Sequence, residues 1–177
     1  MNNPKSQQQS KDAIGLLVAD HREVKGLFKQ FEDLSDRSKS SKKKIADQIC
    51  HALTVHTQIE EKIFYPAVRK AIKDDDLMDE AEVEHASAKD LIAQIQEMDP
   101  GDDLYDAKVK VLSEQIEHHV AEEEKRMEGM FAQARKAGLD MDALGEELAA
   151  RKIELTTKFK ASGIPDPQLK AMDQVTI

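Results

Sequence analysis

Apolar side chains recur every three or four residues along most of this chain, which is the spacing of one face of an α-helix. The first such face starts at Asp12 and stops in the Ser/Lys stretch 35–44. The second covers roughly 42–72, where Pro66 predicts a kink or irregularity near the C-terminal part. The acidic run Asp74 to Asp76 is expected to end this second helix.

Two further helical faces follow. The third covers 78–95, and the fourth covers 112–130, includes Met127 as a core-facing position and closes before Gly138. Short connections between four helices predict an antiparallel four-helix bundle. A C-terminal extra helix is expected over about 140–160.

The composition agrees with an all-α fold, since charged residues make up 34% of the 177 residues and Gly and Pro are scarce. A chain of this length forms one ordinary domain. We expect a disordered polar tail over 1–11, the bundle over 12–137, and the extra helix with an extended tail over 138–177.

The net charge of −9 argues against nucleic acid as a partner, because a phosphate backbone needs a basic face. The longest apolar run is too short to span a membrane, and the polar start lacks the apolar core of a signal peptide. A single cysteine, Cys50, suits a reducing compartment. We therefore expect a cytoplasmic protein.

The informative anomaly is a set of polar residues at positions where a core helix should carry aliphatic ones. The set is His21, His56, Glu60, His85, His119 and Glu123. Each glutamate follows a histidine by four residues, so the two side chains share one face of a helix. One His-x3-Glu pair is weak support for a metal site, because such pairs are more often plain hydrogen-bonded pairs.

An internal repeat strengthens the case. His21 and His85 are 64 positions apart, while His56 and His119, like the two glutamates, are 63 positions apart. The first and second helices thus carry the same donor set as the third and fourth. Four imidazoles and two carboxylates would be costly to bury unless cations paired with them, so we predict a centre with two metal ions. Imidazole with carboxylate suits iron, manganese or zinc, and each ion would keep a position for water, hydroxide, O₂ or peroxide.

These motifs resemble the hemerythrin HHE cation-binding domain family. The resemblance is carried by Asp20-His21, the segment 56–66, Glu84-His85 and the segment 119–125, and it covers about residues 13–135. It implies a four-helix bundle, two iron ions in an oxo- or hydroxo-bridged di-iron centre, and chemistry with O₂, hydrogen peroxide or nitric oxide.

The chain departs from the oxygen-carrying members, which use a fifth histidine in a His-x3-His pair. Here the residues four positions from His85 are Ala81 and Lys89. The departure favours a more open, catalase-like centre over reversible O₂ carriage. Two alternatives stay open: a binding protein or sensor for O₂, nitric oxide or iron without turnover, possible as a homo-oligomer through the C-terminal helix or tail, and a metal-free structural bundle.

Residues next to these six are weaker candidates for a role at the metal site. Helical phase favours His119 over His118 as a ligand, and His51 falls off the apolar face. Glu61 and Glu124 are expected to orient ligands. Three more residues could approach the metals: Glu84 as an extra ligand, Tyr65 as a hydrogen-bond donor, and Lys89 at the vacant position. Each also has an ordinary structural alternative, which for Lys89 is a position in solvent.

Overall fold

The computed structural model describes residues 12–165, and all regular secondary structure in that range is helical. The elements in chain order are α1 (Ala13–Glu32), α2 (Lys39–Ile59), a π-helical turn (Glu60–Phe64), α3 (Tyr65–Ala71), α4 (Asp75–Glu97), α5 (Tyr105–Glu124), α6 (Met130–Lys136) and α7 (Met141–Ser162). The predicted all-α class is confirmed. The tail predicted over 1–11 and the part of the C-terminal tail beyond 165 lie outside the described residues.

Three helices begin at an aspartate that accepts a hydrogen bond from a backbone N–H three residues later. Asp12 caps α1 at 2.7 Å, Asp74 caps α4 at 3.2 Å, and Asp140 caps α7 at 3.0 Å. Such caps satisfy donors that the first helical turn leaves free. The acidic run at Asp74 therefore starts the next helix as well as following the previous one.

Helices α1, α2, α4 and α5 form a closed ring, in which α1 contacts α2 and α5, and α4 contacts the same two helices. The extra helix α7 lies along α1 and α2, and its Leu148, Leu155 and Phe159 are buried there. Within residues 12–165 no helix is both long and apolar enough to cross a bilayer.

The apolar core is divided into two clusters by a polar layer. Along α1, Leu17 belongs to one cluster and Val24 to the other, with buried His21 between them. His85 in α4 lies between the two clusters in the same way. The site is thus sealed above and below by aliphatic and aromatic side chains.

The irregularity predicted near Pro66 is the π-helical turn that immediately precedes it. Proline has no N–H, and its ring clashes with the carbonyl one turn earlier in a regular helix. The chain widens instead, and the N–H of Tyr65 bonds to the carbonyl of Glu60, five residues back. This turn fixes the direction of Glu60, and π-helical turns often occur at functional sites.

The predicted fourth helix is two helices. It stops at Glu124, because Lys125 takes an extended conformation with ψ of 127°, and it restarts only at Met130. The prediction that Met127 faces the core is wrong, since this residue lies in the break and is 86% exposed. The break ends at Gly129, whose N–H bonds to the carbonyl of Lys125.

Candidate metal centre

The six predicted residues lie together in the polar layer, and each is at most 6% exposed. Their imidazoles form two pairs that join neighbouring helices. The Nε2 atoms of His21 and His56 are 3.1 Å apart, and those of His85 and His119 are 3.2 Å apart. Each pair therefore directs two ring nitrogens at one point.

The two glutamates lie between the pairs. Glu60 Oε2 is 3.2 Å from His56 Nε2 and 3.4 Å from His85 Nε2. Glu123 Oε2 is 3.4 Å from His21 Nε2 and 3.5 Å from His119 Nε2. Each carboxylate thus contacts one imidazole of each pair, which is the arrangement that a bridging ligand requires.

These carboxylates are poorly satisfied by protein groups alone. Among the described residues, both oxygens of Glu60 and the Oε2 of Glu123 are buried with no hydrogen-bond partner. Burial, and then the charge of Glu123, raises the pKa of Glu60 well above its ordinary value. Burial also opposes ionisation of Glu123, but His119 and His21 outweigh it and lower its pKa to about 2. Without a bound cation, two close buried carboxylates cannot both ionise cheaply.

Each imidazole also contacts a carboxylate through its other nitrogen. The Nδ1 distances are 2.7 Å for His21 to Glu124, 3.5 Å for His56 to Asp20, 3.1 Å for His85 to Glu61, and 2.7 Å for His119 to Glu84. A carboxylate at Nδ1 fixes the tautomer in which Nδ1–H donates, so the Nε2 lone pair faces the centre. This is the tautomer that a metal ligand needs.

The orienting carboxylates follow the sequence repeat. Asp20 and Glu84 directly precede the first histidine of each half, and Glu61 and Glu124 directly follow the two central glutamates. Glu61 and Glu124 lie where an orienting role was predicted. Glu84 binds the back of His119 and does not face the centre, so the weaker prediction of an extra ligand is not supported by its position.

Two lysines extend this network. Lys89 of α4 pairs with Glu61, so it points neither to the centre nor simply into solvent. Lys152 of α7 pairs with Asp20, although 132 positions separate them along the chain. Burial opposes ionisation of Asp20, but hydrogen bonds from His56 and Lys152 lower its pKa. Sequence reasoning missed Asp20 and Lys152. The repeat marks Asp20 as the counterpart of Glu84, but no local signal marks Lys152.

The two halves of the centre have different walls. The Tyr65 hydroxyl donates to Glu123 Oε1 at 2.9 Å and lies 3.2 Å from His85 Nε2 and 3.4 Å from His119 Nε2. The Phe131 ring stacks on His21 with a centroid distance of 5.8 Å. One pair thus has a nearby hydroxyl, and the other is covered by an apolar ring.

The remaining histidines lie outside this centre. The His118 side chain is 62% exposed, and His51 packs against Phe159 at 6.1 Å between ring centroids. The chemistry of the inner donors suits first-row transition cations, because imidazole nitrogen is combined with carboxylate oxygen. Donor atoms of His21, His56, Glu60 and Glu123 lie within 4.8 Å of one another, as do those of Glu60, His85 and His119.

Comparisons with known proteins identify the fold and the family of the chain. The fold is similar to the crystal structure of a hemerythrin HHE cation binding domain-containing protein from Mycobacterium kansasii, with a TM-score of 0.70 and 23% identity over 86% of this chain and 94% of the other. A protein of Nostoc sp. named DNA nickase is 27% identical over 158 residues, which are 89% of this chain but 40% of that protein. The chain therefore spans about two-fifths of the length of this relative. The family model of the hemerythrin HHE cation binding domain matches residues 12–131, so the chain belongs to the hemerythrin HHE family.

Proposed function

We propose that the chain is a non-haem di-iron protein that reacts with O₂ or hydrogen peroxide, either as a catalase-like protein or in oxidative or nitrosative stress. The observation that carries the proposal is the position of Glu60 and Glu123, each in contact with one imidazole from both histidine pairs. One ion would be held by His21 and His56, the other by His85 and His119, with both glutamates shared. Two iron ions there would supply the electron transfer that reduction or disproportionation of these small oxidants requires.

The residues around the centre have three tasks. The orienting carboxylates hold the proton of each neutral imidazole at Nδ1, so the Nε2 lone pair faces the centre. Burial opposes protonation of His21 and His119, but nearby Glu123 raises the pKa of both, so cation binding should release protons from the centre. The two bridging carboxylates offset part of the positive charge in a region that water does not reach. The apolar clusters above and below, together with Phe131, exclude bulk water and so restrict access to small molecules.

Tyr65 lies on the side of the centre that contains His85, on the helix from which oxygen carriers supply a fifth histidine. Its hydroxyl lies on the side of His85 and His119, within 3.4 Å of both Nε2 atoms, and is buried. It is therefore available there as a hydrogen-bond donor or an oxygen ligand. No such hydroxyl lies beside His21 and His56 among the contacts of residues 12–165. We therefore expect an ion on that side to keep a ligand position free for peroxide or a small anion, beneath the Phe131 ring.

The direct test is anaerobic loading of the purified protein with ferrous iron, followed by metal analysis and measurement of O₂ evolution from hydrogen peroxide. We expect about two iron atoms per chain and peroxide loss that depends on them. Glu60→Ala, which removes a bridging carboxylate, should lose both properties. Tight binding of one zinc ion with no uptake of iron would contradict the proposal.

A second candidate is a binding protein or sensor for O₂, nitric oxide or iron without turnover. The contact between Lys152 of α7 and Asp20 favours it, because Asp20 orients His56 and thereby connects α7 to the centre. Cycling the ferrous protein between air and deoxygenated buffer separates the two candidates. Repeated recovery of the ferrous state indicates reversible binding, whereas a persistent ferric product indicates reaction.

A further inference from the structure

A second group of metal-binding side chains lies on the outer surface of the bundle. It consists of Glu80 and Glu84, one helical turn apart on α4, and His118 on the neighbouring helix α5. One donor atom from each lies within 4.8 Å of the others. Glu80 is exposed and the His118 side chain is 62% exposed, so this group is open to solvent.

The acidic residues of this helix differ in whether they have a basic partner. Asp75, Asp79 and Glu82, on the same helix, all pair with Arg69. Over the described part of the chain, no lysine or arginine pairs with Glu80 or Glu84. Two like charges four residues apart on a helix repel each other and destabilise it. A cation between them would remove this repulsion.

Glu84 belongs to both the inner and the outer group. Its Oε2 accepts a hydrogen bond from His119 Nδ1 at 2.7 Å, while its Oε1 lies 3.5 Å from His118 Nε2. Each oxygen thus contacts a different histidine. A cation on Oε1 leaves the contact between Oε2 and His119 in place.

We propose that Glu80, Glu84 and His118 form an outer site for one divalent first-row transition cation, coupled to the inner centre through Glu84. An imidazole together with two carboxylates suits zinc or ferrous iron, whereas calcium and magnesium prefer oxygen alone. A cation on Oε1 draws electron density from the Glu84 carboxylate. The hydrogen bond to His119 becomes weaker, and His119 becomes a poorer donor to an inner metal.

Zinc is the probe that tests this site, because it is colourless and has no redox chemistry of its own. Iron-loaded protein is titrated with Zn²⁺ in a calorimeter while bound iron is measured by mass spectrometry and the inner centre by visible absorption. We expect one zinc ion per chain in addition to the iron, with a shift of the iron absorption bands. His118→Ala and Glu80→Gln should weaken zinc binding roughly tenfold or more and abolish the shift, with iron content unchanged.

Glu97→Gln is the matched control, because it removes one exposed negative charge from the same helix far from the outer group along the chain. It should leave zinc affinity unchanged. Equal zinc affinity in wild type and His118→Ala would overturn the outer site, and so would zinc uptake that releases an equivalent amount of iron. If the chain binds no iron, the proposed function fails, yet the difference in zinc binding between wild type and His118→Ala still decides the outer site.

Discussion

Replacing Glu60 by methionine should make the metal-free protein more stable and the iron-loaded protein less stable than wild type. Glu60 is fully buried, and neither of its oxygens has a hydrogen-bond partner among the described residues. Unless a cation binds, no hydrogen bond offsets the desolvation of the carboxyl group. Methionine has a similar length and adapts to irregular space in a core.

The magnitude follows from the cost of an unsatisfied buried polar group, about 1–3 kcal/mol. For a chain of this size, 1 kcal/mol corresponds to a shift in Tm of about 2–4 °C. Glu60→Met should thus raise the Tm of the metal-free protein by roughly 2–12 °C. A ligand at one hundred times its Kd stabilises the protein that binds it by about 2.7 kcal/mol, and only wild type should gain this.

The assay is thermal unfolding followed by circular dichroism, with and without iron, on both proteins. Glu61→Met is the matched control, because this neighbouring carboxylate contacts His85 at 3.1 Å and also pairs with Lys89. Its loss should destabilise the metal-free protein by about 1–3 kcal/mol. The reasoning is refuted if Glu60→Met lowers the metal-free Tm, or if iron leaves the wild-type Tm unchanged.

Three further predictions use the same proteins. His119→Ala should lose iron while His118→Ala keeps it, which metal analysis will show, because only His119 is buried against the centre. Gly129→Ala should lower the free energy of unfolding in urea by about 1–3 kcal/mol, since a Cβ there would lie 2.6–2.7 Å from three backbone carbonyl oxygens. Gly26→Ala, whose Cβ would meet nothing within 4 Å, should raise the same free energy by about 0.5–1 kcal/mol. Burial raises the pKa of Cys50 to about 12, so its thiol should react with a disulfide reagent at neutral pH only at the rate of unfolding, and fast labelling of folded protein would contradict this.

The helical faces and the six central residues could be predicted from sequence because both are local patterns. A histidine such as His21 or His85 stands out when it occupies an aliphatic position on an apolar face, and the repeat then shows that it has a counterpart. The same argument extends to residues next to the central ones. Asp20 and Glu84 share the offset of 64 positions, so Asp20 could have been found from the repeat.

The break between α5 and α6 could not be predicted in this way, because apolar residues keep helical spacing through it. Met127 and Met130 both fit the pattern, yet only Met130 is buried. The backbone conformation at the break is what decides, since Gly129 lies so close to the carbonyl oxygens of Glu122, Glu123 and Lys125 that no other residue fits without a shift. Lys152 was missed for a different reason: a lysine on the polar face of a helix gives no sign of a partner so distant in sequence.

The repeat does not include the residues around the orienting carboxylates, and the two halves of the centre differ there. The six inner residues match in type between the halves. The orienting carboxylates match in position but differ in their surroundings, because Asp20 is paired with Lys152 whereas Glu84 is shared with solvent-exposed His118. A carboxylate whose charge is neutralised by a lysine accepts a hydrogen bond less strongly than a free one. His56 and His119 are therefore not equivalent as metal ligands. If the two halves differ in reactivity, the difference must therefore arise from residues outside the six, where the chain has departed from its own repeat.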